Sequence, residues 1–288
     1  MIQQAVIPAA GLGSRFLPVT KIVPKELLPI MAKPAMQYIV EELVQSGIEE
    51  IILVLSPEKE SIFQYFSEGS FIDQLLDERG HMGKLQELRD LLRKVTFRRV
   101  YQHNPLGLGH AILCAKKAIC TDTFAVVLPD DIVFSKVPCM QQLIQAYKKT
   151  SHCMVAIEAV PDASVSSYGI VDPESAPLGH DPFLIQGVVE KPQPEKAPSN
   201  LAIIGRYILS QKIFDAIPET SEKIHQEIQL TDALKMFVDQ KALSGVVFEG
   251  DRIDVGQPIG FTKANLMVSL SQEANARDIK AFAGRIGL

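Results

Sequence analysis

The sequence has no run of eighteen apolar residues, so no segment reads as a membrane-spanning helix. Its start, Met1 to Pro8, lacks the basic opening and long apolar core of a secretory signal, and a soluble, cytoplasmic protein is expected. Basic charge is also short. The 29 Lys and Arg stand against 34 Asp and Glu, a net of -5, which argues against a general nucleic-acid binder with its basic face or stripe. Any anion site must therefore be local. Cys114, Cys120, Cys139 and Cys153 show no C-x-x-C spacing, so buried reduced thiols are expected rather than a zinc site or disulfides. The six histidines form no H-E-x-x-H pattern; His110, in "GLGHA", lies near a motif and reads as a packing residue.

Two phosphate-binding signatures are missing as well. The stretch "AAGLGSRFLPVTKIVPKELLPI", residues 9–30, follows a short apolar run that reads as a buried strand. Phe16 stands where a dinucleotide-binding turn needs its third glycine, which argues against a dehydrogenase, and no G-K-[ST] tripeptide completes a Walker A loop. Gly11 and Gly13 remain, and they let backbone N–H groups approach an anion without a Cβ in the way. Arg15, Lys21 and Lys25 follow closely, so a phosphate-bearing ligand is the first expectation.

At 288 residues, 47% hydrophobic and 22% charged, the chain can bury a sizeable core. Strand-like runs ("AVIPA", "EIILVLS", "FAVVLPD", "CMVAIEAV") alternate with amphipathic stretches such as "AMQYIVEELVQSG" and "MQQLIQAYKKT". That alternation predicts an α/β fold, a largely parallel sheet covered by helices on both faces. Met36, Ile39, Val40, Leu43 and Val44 recur at helical spacing and are assigned to the core, with Gly47 as the stop. Residues 60–95 read as a charged helical insertion at the sheet edge, and 258–288 as a helical tail. Self-association into a dimer or tetramer is expected, with the tail as a candidate contact.

Several constellations can carry chemistry. "FAVVLPDDIVF" puts Asp130 and Asp131 at the carboxyl end of an apolar strand, where open α/β sheets gather ligands, and aspartate oxygens suit Mg²⁺. In "GDRIDVG", Asp254 either completes a metal site with Asp130 or caps the following helix. Gly107 and Gly109 in "YQHNPLGLGHAIL" would permit close approach of a flat ligand, and the Gln102 amide suits reading a base edge. "SSYGIVDP" and "GVVEKPQP" read as a hairpin that offers Tyr168, Gly169, Glu190 and Lys191. Adjacent strand residues point to opposite faces, so an ion pair between Glu190 and Lys191 is not the natural reading.

Taken in order, "AAGLGSRFLPVTKIVPKELLPI", "NPLGLGHA", "LPDD", "YGIVD", "VVEKP", "IIGRYIL", "EIQLTDAL" and "DVG" resemble the bacterial UTP:glucose-1-phosphate uridylyltransferases of the sugar nucleotidyltransferase superfamily. The likeness spans nearly the whole chain. It implies a Rossmann-like, mostly parallel mixed sheet flanked by helices. The whole of 1–288 would form a single nucleotidyltransferase domain, with a smaller sugar-binding subdomain at about 155–230. It also implies transfer of a uridylyl group from UTP to glucose 1-phosphate with Mg²⁺ as cofactor, giving UDP-glucose and pyrophosphate. Carried over by position, Ala10, Gly11 and Gly13 would line the nucleotide, and Gln102 and Gly107 would contact the uracil. Arg15 and Lys25 would serve the triphosphate, Asp130 and Asp254 the metal, and Gly169, Glu190 and Lys191 the hexose and its phosphate. Arg15, Lys25, Asp130 and Lys191 would be the catalytic set. Rival readings are a thymidylyltransferase or another hexose-1-phosphate nucleotidyltransferase, and a non-catalytic nucleotide-sugar-binding paralogue.

Overall fold

A computed structural model describes residues 2–80, 82–218 and 227–287. His81, residues 219–226 and Leu288, which fall within the expected insertion, subdomain and tail, lie outside the described residues. The strands are β1 (Gln4–Pro8), β2 (Pro29–Ile30), β3 (Lys33–Pro34), β4 (Glu50–Leu55), β5 (Thr96–Tyr101), β6 (Thr123–Val127), β7 (Asp131–Phe134), β8 (Cys153–Ala159), β9 (Gly169–Pro173), β10 (Phe183–Glu190), β11 (Leu201–Ser210), β12 (Leu243–Val247) and β13 (Asp251–Asp254). The helices are α1 (Ala35–Gln45), α2 (Glu60–Tyr65), α3 (Phe71–Glu78), α4 (Gln86–Leu92), α5 (Leu108–Cys114), α6 (Cys139–Thr150), α7 (Ile213–Ala216), α8 (Leu230–Asp239), α9 (Pro258–Leu270) and α10 (Glu273–Arg285).

One nine-stranded sheet runs in the order β5-β4-β1-β6-β11-β8-β12-β10-β9. β5, β4, β1 and β6 are mutually parallel, while β11 and β10 run against their neighbours, so the sheet is mixed. β8 to β11, from the segment expected to form a smaller subdomain, continue this same sheet. The alternating pleat explains why the strand sequences are apolar almost throughout. In β4, Ile51, Leu53 and Leu55 enter a layer with α1 and α6, whereas Ile52 and Val54 enter the opposite layer with α5 and α8. Met36, Ile39, Val40 and Leu43 of α1 are buried in the first layer, and Val44 packs against it partly exposed. Gly47 follows α1 with φ 87°.

Between β4 and β5, α2 and α4 anchor themselves through Ile62 and Leu91, while α3 buries no residue. The cysteines are free, but only Cys139 and Cys153 are buried; Cys120 is exposed. Its backbone N–H donates to Gln4 Oε1 at 2.7 Å in the turn before β6, and its thiol donates to the Ala118 carbonyl at 3.7 Å.

The chain runs from β1 outward to β4 and β5, then returns to β1's other side as β6. A crevice opens at such a reversal, outside the carboxyl ends of the parallel strands. The turns after β1, β5 and β6 carry residues 9–13, Gln102 and Asp130 to that edge.

Beneath it lies a fully buried cation. Arg206 of β11 has no exposed surface and makes a forked pair with Glu42 of α1, Nε to Oε1 at 3.0 Å and Nη2 to Oε2 at 2.7 Å. Nη2 also donates to the Asp131 carbonyl at 2.6 Å, and Glu42 Oε1 accepts from the Met140 backbone N–H at 3.0 Å. Burial works against the guanidinium charge, but Glu42 outweighs it and raises the Arg206 pKa. A lone buried ion is far costlier than a paired one, so Glu42→Ala should destabilise the protein by about 3–5 kcal/mol. Urea unfolding of Glu42→Ala and of the double variant Glu42→Leu, Arg206→Met checks this. The double variant should be the more stable of the two, and the reverse order would count against the pair.

Candidate active site

The loop after β1 is held from below. Gly13 adopts φ 66°, and its carbonyl accepts from Thr20 Oγ1 at 2.8 Å. Lys59, in the turn after β4, donates from Nζ to the Ala9 carbonyl at 2.9 Å and to both Glu26 oxygens at 2.9 Å. Glu26 and Lys59 are both buried. Burial raises the Glu26 carboxyl above the usual carboxylate range against the pull of Lys59, and burial lowers the Lys59 ammonium against the pull of Glu26. Glu26 pairs with Lys59 at the floor of the crevice, where Arg15, Lys25 and Glu26 itself all line the cavity. Neither Glu26 nor Lys59 was singled out in the sequence, where a Glu beside Lys25 looks like any solvated charge.

A cavity of about 610 Å³ opens above the loop. Ala10, Gly11, Gly13, Arg15, Lys25, Gln102, Gly107 and Asp130 all line it. Gln102 is buried, and its Nε2 donates to the Gly107 carbonyl at 3.1 Å and lies 2.9 Å from His110 Nδ1. His110 is therefore more than packing. For Gly109, which does not line this cavity, the expected reason changes too. A Cβ on Gly107 or on Gly109 would come within 2.8 Å of the Ile228 carbonyl oxygen, so both glycines make room for the chain at residue 228. Gly109 N–H donates to that carbonyl at 2.8 Å, and Ile228 N–H donates to the Leu106 carbonyl at 2.7 Å.

A second cavity, of about 330 Å³, adjoins the first; Arg15, Asp130 and Glu227 line both. Gly169, Glu190, Lys191 and Asp254 line the second one. Here the structure corrects the reading of Glu190 and Lys191. β10 ends at Glu190, Lys191 turns into the left-handed region at φ 44°, and its Nζ lies 3.5 Å from Glu190 Oε1. The alternation that would separate them stops one residue too early. Non-glycine residues rarely adopt this backbone, and such strain gathers at functional sites. Glu190 Oε2 also accepts from Thr231 Oγ1 at 2.6 Å, and a Cβ on Gly169 would lie 3.1 Å from that hydroxyl. Thr231 belongs to "EIQLTDAL", whose order pointed to the family without naming a role for it.

The adjacent aspartates have different surroundings. Asp131 is buried and takes Arg252 Nε on Oδ1 at 2.6 Å; Arg252 reaches Glu158 at 3.1 Å and the Tyr168 hydroxyl at 3.3 Å. Burial raises the Asp131 carboxyl, with Arg252 and Arg206 opposing. Asp130 faces the cavities and pairs with Lys25 Nζ, so it is not without a protein partner. Asp254 pairs in register with Asp131 across the β7–β13 ribbon. Its Oδ1 accepts from Gly256 N–H at 2.9 Å and its Oδ2 from Gln257 Nε2 at 2.8 Å, whereas the N-cap of α9 is Gln257. Asp254 therefore holds the turn before the helix and is not the helix cap.

A mixed α/β sheet whose carboxyl edge carries a glycine turn, two cations and a pair of aspartates fits the nucleotidyl transferases, and that family matches residues 4–270. The chain is 41% identical over 287 residues to the UTP–glucose-1-phosphate uridylyltransferase of Staphylococcus epidermidis, covering 100% of this chain and 99% of that one. Among solved structures it is similar to UTP-bound UDP-glucose pyrophosphorylase of Acinetobacter baumannii, with TM-score 0.89, 38% identity and 98% of each chain covered. It is similar also to a UDP-glucose pyrophosphorylase complexed with UDP-glucose, with TM-score 0.85, 38% identity, 94% of this chain and 100% of that one. The chain belongs to the UTP–glucose-1-phosphate uridylyltransferases of the nucleotidyl transferase family.

The two aspartates should separate in experiment. Asp131→Asn leaves the buried Arg252 short of a counter-charge and should lower stability by about 2–4 kcal/mol. Asp130→Asn, at a half-exposed site, should cost less than about 1 kcal/mol. Urea unfolding of both variants decides it, and equal losses would reject the division.

Proposed function

We infer that the protein transfers a uridylyl group from UTP to glucose 1-phosphate, giving UDP-glucose and pyrophosphate. The observation that carries this reading is the pair of adjoining cavities, one beside the glycine turn and one beside Glu190 and Lys191, with Arg15 and Asp130 at their junction. The relatives' names and the nucleotides in the matched structures supply the substrate class.

The reaction joins two anions, so charge is the main barrier to it. A phosphate oxygen of the sugar phosphate attacks the α-phosphorus in line, and pyrophosphate departs. In our reading Lys191 aligns the incoming phosphate, while Arg15 and Lys25 meet the charge that builds on the leaving group. Gln102 and Gly107 meet the uracil, the Ala10–Gly13 turn lies against the phosphates, and Gly169 and Glu190 receive the hexose. No covalent intermediate is required.

Asp130 and Asp254 are the residues that would hold Mg²⁺. Both carboxylates close on Gly256, where a Cβ would lie 2.9 Å from Asp130 Oδ2 and 3.0 Å from Asp254 Oδ1, so the glycine keeps a gap between two anionic groups. Among the described residues no group of three or more His, Cys, Asp or Glu is placed to hold a metal. Two carboxylates with the remaining positions left to phosphate and water suit Mg²⁺, which when bound would neutralise phosphate charge. Four free thiols suit the reducing cytoplasm, the compartment we propose. No helix among the described residues is long and apolar enough to cross a membrane.

The reading is tested by pyrophosphate release over a panel of nucleoside triphosphates and hexose 1-phosphates, with and without Mg²⁺. UTP with glucose 1-phosphate should be the best pair, and activity should disappear with the metal. Asp130→Asn should fold and lose most turnover; full activity after thorough metal removal would reject the metal assignment. The two ends of the site should also part kinetically. Lys191→Ala should raise KM chiefly for glucose 1-phosphate and Arg15→Ala chiefly for UTP. Equal losses for both substrates in each variant would refute that division of labour.

A further inference from the structure

Both hydrogens of the Gln102 amide point at acceptors of the protein itself. One goes to the Gly107 carbonyl oxygen at 3.1 Å. A carbonyl oxygen can only accept, so this contact fixes the nitrogen end of the amide without appeal to any tautomer. The other faces His110 Nδ1 at 2.9 Å. With the amide donating, Nδ1 must be the unprotonated nitrogen of a neutral ring, and the ring proton sits on Nε2. Burial lowers the His110 pKa, which is consistent with a neutral ring. Cys114 Sγ lies 3.9 Å from Nδ1 and 4.0 Å from Nε2 and so favours neither nitrogen; the Gln102 contact alone sets the tautomer.

What remains of the amide is Oε1. Gln102 lines the larger cavity, and among the described residues no buried side-chain oxygen or nitrogen lacks a partner, so this oxygen has access to the cavity. A carbonyl oxygen presented to a pyrimidine edge accepts from an imide N–H, which uracil carries at N3. Cytosine carries a bare nitrogen acceptor there and would meet oxygen with its own lone pair. The choice between the two bases therefore depends on which way the amide is turned.

We propose that His110 is a positioning residue for base choice: its Nδ1 holds the Gln102 amide with Oε1 toward the ligand, so that the site takes a pyrimidine with an imide N–H and rejects cytosine. This rests on the reading that Gln102 meets the base. Thymine has the same imide, so this contact does not separate UTP from dTTP.

The test is kcat/KM for UTP, dTTP and CTP in wild type, His110→Leu, His110→Asn and Gln102→Leu. Loss of one hydrogen bond should lower the UTP-over-CTP preference of His110→Leu about fivefold while leaving the UTP-to-dTTP ratio unchanged. His110→Asn, which can place an amide oxygen where Nδ1 stood, should recover the preference. A UTP-over-CTP ratio unchanged in His110→Leu but lowered in Gln102→Leu would overturn the proposal and leave the reading of Gln102 standing. An unchanged ratio in Gln102→Leu as well would remove both. Equal loss for all three triphosphates in His110→Leu would mean a structural role only and would also overturn it. Should the leucine variant not fold, long-range ¹H–¹⁵N spectra of the intact wild-type protein report the tautomer directly. An unprotonated Nδ1 coupled to the Gln102 amide is the expected result, and a protonated Nδ1 refutes the proposal.

Discussion

The catalytic edge rests on charge buried below it. Arg206, on a strand that runs against its neighbours, reaches Glu42 on α1 and the carbonyl of Asp131, while the Asp131 side chain turns the other way to Arg252 of β13. The chain Glu42–Arg206–Asp131–Arg252–Glu158 thus ties a helix, the main sheet and the separate β7–β13 ribbon. Hydrophobic packing is non-directional and would tolerate a shift of that ribbon. Forked, desolvated ion pairs tolerate it less, because a planar guanidinium meets a carboxylate in a fixed fork and a broken buried pair leaves a costly unpaired charge. Asp130 and Asp254 sit together at one end of this ribbon, so their separation follows from the buried chain beneath.

Much of the architecture was legible because it rests on short-range patterns. The alternation of apolar strands with amphipathic helices fixed the α/β class, and the apolar runs on both faces of β4 and β6 implied a sheet covered on two sides. The proposed site was legible because its residues stand where parallel strands end, in turns that glycine and aspartate punctuate. Those turns are contiguous in sequence, and the order of eight short motifs carried the family.

Other features were not legible, each for a physical reason. Glu26–Lys59, Glu42–Arg206 and Asp131–Arg252 join residues 33, 164 and 121 positions apart, and nothing local marks a charged residue as buried. Lys191 misled through a rule that holds only inside a strand, since its left-handed turn reverses the alternation at the last residue. Gly109 misled for a similar reason. A glycine admits any close neighbour, and its own sequence does not say whether that neighbour is a ligand or, as here, the backbone at 228.

The segment from Glu227 to Thr231 touches both ends of the crevice. At Ile228 its backbone braces the turn that carries Gly107, and three residues on the Thr231 hydroxyl holds Glu190. Glu227 to Gln229 lead directly into α8, whose first turn holds Leu230 and Thr231, so the segment forms one short strut. A change of side chain that tilts the strut reaches both ends at once. On the proposed assignment of base and sugar to the two cavities, evolution toward a new base or a new sugar along this segment is pleiotropic, and independent tuning of the two has to come from residues that line one cavity alone, such as Gln102 or Lys191.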